Sequence, residues 1–268
     1  MNRYEKTFAG LRERGEIGFI PFAVAGDPDL STSELVLRAY IDGGADILEI
    51  GYPFSDPVAD GPVNQRASQR AIAAGLNHER FFELIKRIRK VSDIPIGLLG
   101  YTNTLIHLGC EHFCKEAADA GIDSLLFADL PPEESAELAD AMKRHGLGRV
   151  YIVSELTPPD RMKMIVAQVD SFVYVVSRLG ATGVDAAAST SAETTLKRLK
   201  RVTKKPLAVG FGISTPAHVA AMAAAGADAA IVGSALVAVI EEFGKIPKKL
   251  RAVLTENVAA YKAATRKA

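Results

Sequence analysis

Glu49 is the residue whose setting most needs a chemical reason. It stands in ADILEIG with Ile47, Leu48 and Ile50 beside it, where an unpaired carboxylate is costly. Burial disfavours the ionised form and raises the pKa, which gives an acid or base able to exchange protons near neutral pH. The same placement also suits a structural ion pair inside the fold. Asp60 follows in YPFSDPVADGP, Tyr52 to Pro62, a loop holding Asp56 and three prolines. The prolines restrict the chain and suit it to holding Asp60 over a pocket. The other reading is a solvated turn whose aspartate caps the next helix.

A second chemistry is written in glycine. SRLGATG (Ser177 to Gly183), GFGIS (Gly210 to Ser214) and GSA (Gly233 to Ala235) all fall in the second half of the chain. One such loop reads as a tight turn; three together read as a phosphate cradle, because glycine lets backbone N–H groups approach the anion. Gly233 and Ser234 open the helical ALVAVIEE, whose N-terminal partial charge favours phosphate without any cation. Arg178 lies nearby and reads equally well as a surface charge.

Absences narrow the reaction. No strand end carries a lysine to form a Schiff base or a histidine cluster to hold catalytic zinc. A carbon–carbon cleavage here must rely on carboxylate acid/base catalysis and on a substrate that accepts electrons itself. His107, Cys110, His112 and Cys114 resemble a metal cluster as letters. They read as structural, since a C-x₃-C pair with no second pair is not a usual zinc site and a free cysteine commonly acts as a small buried hydrophobe. His78, His145 and His218 sit in helical or turn segments and read as solvated.

The elements that must position these groups are legible as alternation. Apolar runs recur at Gly18 (GFIPFAV), Ile47 (ILEIG), Ile94 (IPIGLLG), Ser124 (SLLFADL), Val150 (VYIVSE), Phe172 (FVYVVS), Pro206 (PLAVGFG) and Ala229 (AAIVG). Continuous hydrophobicity suits strands covered on both faces. Amphipathic segments such as Leu35 to Asp46, His78 to Lys90 and Cys110 to Asp123 lie between them. Eight alternations predict an α/β fold, a (β/α)₈ TIM barrel; an open doubly wound sheet would read similarly. Tyr4, Phe8 and Leu11 at helical spacing add an N-terminal helix. No linker divides residues 1–268, so a single barrel domain is expected.

Charge and hydropathy exclude other classes. Lys plus Arg and Asp plus Glu are equal at 32 each, so no long-range field attracts nucleic acid or an anionic membrane. The nearly uncharged stretch from Val219 to Ile240 is interrupted by Gly226, Asp228 and Gly233 and reads as helix, strand and helix rather than as a membrane span. The first residues lack the apolar core of a signal peptide, and a cytoplasmic location is expected.

With these residues in place, the chain resembles the α subunits of tryptophan synthase over nearly its whole length. The most specific segment stands here as ADILEIGYPFSDPVADGP, supported in order by FAVAGDP, IGLLGYTN, FADLPPEES, SRLGATG, VGFGIS and VGSALV. The resemblance implies aldol cleavage of indole-3-glycerol phosphate to indole and glyceraldehyde 3-phosphate, with Glu49 as general acid/base and Asp60 binding the indole N–H. It implies that Gly183, Gly212, Gly233 and Ser234 hold the phosphate. Phe22, Leu99, Tyr101, Leu126, Ala128, Tyr174 and Phe211 would enclose the indole, and Thr182 would belong to a mobile lid. No cofactor is implied in this chain; pyridoxal phosphate would belong to a partner β subunit. That partner would complete an α₂β₂ heterotetramer through loops at Pro53 to Asp56 and around Asn103 to Leu108.

The chain departs from the family pattern at Tyr52, Gly100, Ala181 and VSELTPP after the fifth strand. These departures are expected to alter indole packing, the lid and the partner contact without removing a catalytic group. A stand-alone indole-3-glycerol phosphate lyase is the nearest alternative. Another phosphate-binding barrel enzyme and a ligand-gated binding module are the others.

Overall fold

The computed structural model describes residues 1–176, 186–210 and 212–266, with residues 186–191 by backbone alone. Its strands are β1 (Gly18–Val24), β2 (Leu48–Gly51), β3 (Ile96–Gly100), β4 (Ser124–Phe127), β5 (Gly148–Arg149), β6 (Tyr151–Ser154), β7 (Val173–Val176), β8 (Leu207–Gly210) and β9 (Ala229–Val232). All pair in parallel, in the order β5-β4-β3-β2-β1-β9-β8-β7-β6. The two ends of that order, β5 and β6, follow one another in the chain, so the sheet closes on itself. An open doubly wound sheet is thereby excluded.

These are the eight expected strands with the fifth divided. Gly148 and Arg149 pair with β4, Tyr151 to Ser154 pair with β7, and the Val150 N–H reaches the Leu125 carbonyl at 3.1 Å between them. A strand tilted against the barrel axis meets one neighbour near its start and the other near its end, which splits the pairing.

The helices are α1 (Arg3–Glu13), α2 (Leu30–Asp42), α3 (Pro62–Ala73), α4 (His78–Arg89), α5 (Thr102–Leu108), α6 (Cys110–Ala120), α7 (Ala136–Arg144), α8 (Pro159–Gln168), α9 (Ala186–Lys200), α10 (Pro216–Ala224), α11 (Ser234–Phe243) and α12 (Pro247–Ala263). α2 starts before the expected Leu35 because the Asp29 carboxylate accepts the Thr32 N–H at 2.9 Å and caps the helix there. The stretch from Val219 to Ile240 divides into helix, strand and helix, as read. Among the described residues no helix is long and apolar enough to cross a membrane.

Strand alternation sorts side chains into two layers. Ile20, Leu126, Tyr174 and Ile231 point into the barrel, whereas Ala23, Ile50, Leu98 and Val175 pack outward under the helices. The α1 residues Tyr4, Phe8 and Leu11 join the inner cluster and close the barrel at the N-terminal ends of the strands. Tyr4 shares a 2.7 Å hydroxyl bond with Ser124 there.

The same parity decides what the departures do. Tyr52 points outward, its ring centroid 4.7 Å from that of Phe81 and 6.2 Å from that of Phe113. At Gly100 a Cβ would lie 3.1 Å from the Phe127 ring. Both positions therefore change the layer between barrel and helices, not the indole packing expected of them. Ala181 lies outside the described residues.

An ion-pair network around a buried carboxylate ties α3 to α11. The fully buried Asp27 carboxylate receives Arg70 Nε and Nη2 at 2.7 and 2.9 Å. Arg70 Nη1 reaches Glu241 of α11 at 2.8 Å, and Arg66 grips the same carboxylate. Removing one partner strands the other in a site that cannot hydrate it. Arg70→Met is expected to cost about 3 kcal/mol of folding free energy, read by urea unfolding. A loss within about 0.5 kcal/mol, as at ordinary surface sites, would show that the network does not hold the two helices.

Candidate active site

Glu49 sits in the inward row of β2, in register with Phe22 of β1 and Gly97 of β3. It is 5% exposed, and what exposure remains is to a cleft at the C-terminal ends of the strands. Among the described residues no cation reaches it and no hydrogen bond holds it, so none of them makes it a structural ion pair. Burial is the main cause, and the charge of Asp60 the lesser one, of a carboxyl pKa raised to about 8.

Asp60 faces the same cleft from the loop between β2 and α3. The Tyr101 hydroxyl donates to its Oδ2 at 3.0 Å and itself accepts the Ala59 N–H at 3.2 Å. Asn64 Nδ2 lies 3.5 Å from Oδ1, and Gln65 Nε2 donates to the Asp60 carbonyl at 2.9 Å. The helix that follows is capped by Gly61 with no side-chain bond, so Asp60 is not the helix cap of the bland reading. Burial raises its pKa, while the bonds from Tyr101 and Asn64 oppose that rise.

The opposite wall is built for an anion. Gly233 precedes α11 without a side-chain cap, and Gly233 and Ser234 line the cleft, leaving the first backbone N–H groups of α11 for a ligand. Gly212, at φ +74°, joins them. Gly210 serves differently: a Cβ there would collide with the Tyr174 hydroxyl, so glycine is what lets that ring stand in the cleft.

Phe22, Leu99, Tyr101, Ala128 and Tyr174 line the cleft with the two carboxylates. Leu126 lies in the inner cluster with Tyr174 but does not form the cleft wall. Thr182, Gly183 and Phe211 fall outside the described residues, as do Arg178 and the rest of the SRLGATG loop. Sequence reasoning missed Ile152, Val176, Ile213 and Ile231, which complete the apolar wall, and Asn64 beside Asp60. Ile152, Val176 and Ile231 looked like any strand residue, and Ile213 like an ordinary member of the glycine loop GFGIS. Asn64 carried a usable signal, lying one helical turn beyond Asp60.

The cysteines and histidines do not gather as the letters suggested. Cys114 is buried in the core and burial pushes its thiol up to about 12. His78 is half-buried rather than solvated, packed by Tyr52, Phe82 and Phe113 and hydrogen-bonded to Glu116. His112 reaches Glu116 at 3.2 Å, so His78, His112 and Glu116 meet as a possible ligand set. His78 is held to Glu116 through Nε2, while its Nδ1 is buried with no partner among the described residues. His145 pairs with Glu111 at 2.7 Å instead of standing free, and the half-buried His218 accepts the Ser214 N–H.

The loops beyond the strands frame the cleft. Pro53 is buried and Asp56 exposed in the loop after β2, where Val58 is 82% exposed; the stretch expected as a loop around Asn103 to Leu108 is instead α5, with Asn103 exposed and Ile106 at 76% exposure.

Comparison with known proteins agrees on one family. The family model described as tryptophan synthase alpha chain matches residues 8–266. The tryptophan synthase alpha chain of Methanoregula boonei is 43% identical over 98% of both chains, and that of Shewanella baltica is 42% identical over 98% of this chain and 97% of its own. In three dimensions the chain is similar to tryptophan synthase subunit alpha from Legionella pneumophila, with a TM-score of 0.90 and 32% identity over 99% of this chain and 98% of that one. It is also similar to a chain of the tryptophan synthase of M. tuberculosis in an open form, with a TM-score of 0.87 and 29% identity over all of both chains.

Two outcomes follow from the geometry. The folded state keeps a proton on Glu49 up to about pH 8, whereas the unfolded chain releases it near the ordinary carboxylate value. That contribution to stability therefore falls as pH rises through this window. Glu49→Gln should match the wild type near pH 4 and melt progressively higher than it towards pH 8; parallel melting curves across pH would refute a raised Glu49 pKa. Gly210→Ala should displace Tyr174 and weaken indole binding about tenfold or more at a modest cost in stability; unchanged affinity in calorimetry would show that the ring has room to spare.

Proposed function

The chain belongs to the tryptophan synthase alpha chain family, and from that premise we propose that this cleft cleaves indole-3-glycerol phosphate to indole and D-glyceraldehyde 3-phosphate. The observation that carries the reading is a buried carboxyl at Glu49, its pKa pushed up to about 8 by burial, lining one apolar cleft with a second carboxylate. The reaction needs a proton at indole C3 and the loss of one from the adjacent side-chain hydroxyl. Glu49 gives its proton to C3, and the ring, now an indoleninium, becomes the electron sink. Glu49, then a carboxylate, takes up the hydroxyl proton. The carbon–carbon bond breaks, its electron pair restores the indole ring, and the hydroxyl carbon leaves as the aldehyde. The proton count closes on the residue that began it.

Asp60 accepts the indole N–H and stabilises the positive charge that builds on the ring before cleavage. A pair of carboxylates both charged and both desolvated would repel; keeping Glu49 neutral at rest lets Asp60 stay ionised. Phe22, Leu99, Tyr101, Ala128 and Tyr174 supply the slot for the ring. The start of α11 with Gly212 and Gly233 holds the phosphate, and Leu126 supports the ring from below. Gly183, Phe211 and Thr182 extend the phosphate site, slot and lid in this reading. No step calls on a cofactor bound by this chain.

The chain works as one domain beside a β subunit that receives indole and carries pyridoxal phosphate, in a cytoplasmic α₂β₂ assembly. Val58 in the loop of Asp56 and Ile106 on α5 beside Asn103, both apolar and exposed, support a protein partner over the cleft mouth.

The test is direct. The purified chain mixed with indole-3-glycerol phosphate should release indole, faster once a cognate β subunit is added. Glu49→Gln and Asp60→Asn should each lower kcat by about 10²-fold or more while substrate still binds. Near-normal turnover in either variant would overturn the assignment.

A further inference from the structure

Asn64 stands on the first turn of α3 and lines the cleft beside Asp60. Its Nδ2 lies 3.5 Å from Asp60 Oδ1, and its own Oδ1 is buried with no partner. The orientation follows from chemistry, since an ionised carboxylate only accepts and the amide must turn its N–H groups towards it. The amide oxygen is thereby left without a bond, which a buried acceptor rarely tolerates in a resting protein. A separation of 3.5 Å is at the outer limit of hydrogen bonding, and bonds in a ligand-free catalytic site often tighten only in the complex.

We propose that Asn64 is a positioning residue for Asp60, donating to its carboxylate while accepting a hydrogen bond from a hydroxyl of the bound ligand. This rests on the proposed reaction and adds to it a residue outside the set that the family resemblance implies. Among the described residues Asp60 otherwise has one side-chain donor, Tyr101, on Oδ2. With Oδ2 fixed and Oδ1 held by Asn64, the carboxylate cannot rotate away from the ring it must face. The ligand's donor fills the vacant acceptor, so binding tightens the hold on Asp60 when charge is about to build.

The charged and titratable groups facing Asp60 are Glu49 from β2, Tyr101 beyond β3 and Tyr174 from β7. No lysine or arginine among the described residues lines the cleft. Loss of an N–H donor therefore removes one of the few groups that favour the ionised form.

The test uses the full chain with Asn64→Leu, similar in size and without polar atoms, and Asn64→Asp, which keeps the acceptor and puts a second carboxylate beside the first. Asn64→Leu should lower kcat/KM for indole release about tenfold or more with little change in Tm. It should also move the acidic limb of the pH–rate profile upward, and Asn64→Asp should move it further. Asn64→Leu should weaken binding of the hydroxyl-bearing substrate more than binding of indole; equal weakening of the two would overturn a hydroxyl as the donor to Asn64.

A wild-type rate and pH profile in Asn64→Leu would overturn the proposal. So would a slower rate with an unmoved profile and a lowered Tm, because that is a packing defect. Failure of the parent reading looks different, as the wild type itself would release no indole. The ¹³C carboxyl titration of Asp60 in wild type and Asn64→Leu would then decide, an upward midpoint supporting the positioning role and equal midpoints refuting it.

Discussion

A carboxyl group kept in an apolar barrel without a counter-ion is the constraint on which the rest of this structure depends. Glu49 is nearly inaccessible, and no cation among the described residues compensates it. Elsewhere the fold handles buried carboxylates in the ordinary way: Asp27 has Arg70, Asp46 has Lys262 and Asp123 has Arg89. The difference is functional in kind. A paired carboxylate is a fixed charge, whereas an unpaired buried one holds its proton and can part with it to a base that arrives in the same cleft.

Holding such a group in place falls to the frame. Parallel register puts Glu49 beside Phe22 and Gly97, and the α1 side chains fill the barrel below it, so solvent reaches the carboxyl only from the cleft. The two sides of that cleft come from distant parts of the chain, Asp60 ahead of α3 and the anion site at the start of α11. The Asp27–Arg70–Glu241–Arg66 network ties those two helices together. A ligand spanning the two sides would thus be held by elements that cannot drift apart independently, which is what positioning catalysis requires.

Chemistry also divides the cleft by polarity. One side offers backbone N–H groups and glycine, the other offers carboxylates and a tyrosine hydroxyl, and aliphatic and aromatic side chains lie between them. A ligand with an anionic end, an aromatic end and donor groups fits that division in one orientation only. The loops outside carry exposed apolar residues, so the surface that a partner would cover is the same surface through which a ligand enters.

Much of this was legible from residues alone. The eight runs, the intervening helices, the N-terminal helix and the exceptional nature of Glu49 follow from local periodicity and from the cost of a lone carboxylate among aliphatics, both of which are properties of neighbours in sequence. Only the tertiary structure decided the rest, because it depends on which way a side chain faces and what comes from elsewhere. Ile152 and Ile231 line the cleft while Ile50 does not, a matter of strand parity that a continuous apolar run hides. Tyr52 turned out to serve the outer layer for the same reason. His78 left its expected place in solvent because Glu116 and Phe113, both remote in sequence, come to meet it. The fifth strand is divided because closure, not local preference, sets where a tilted strand finds its partners.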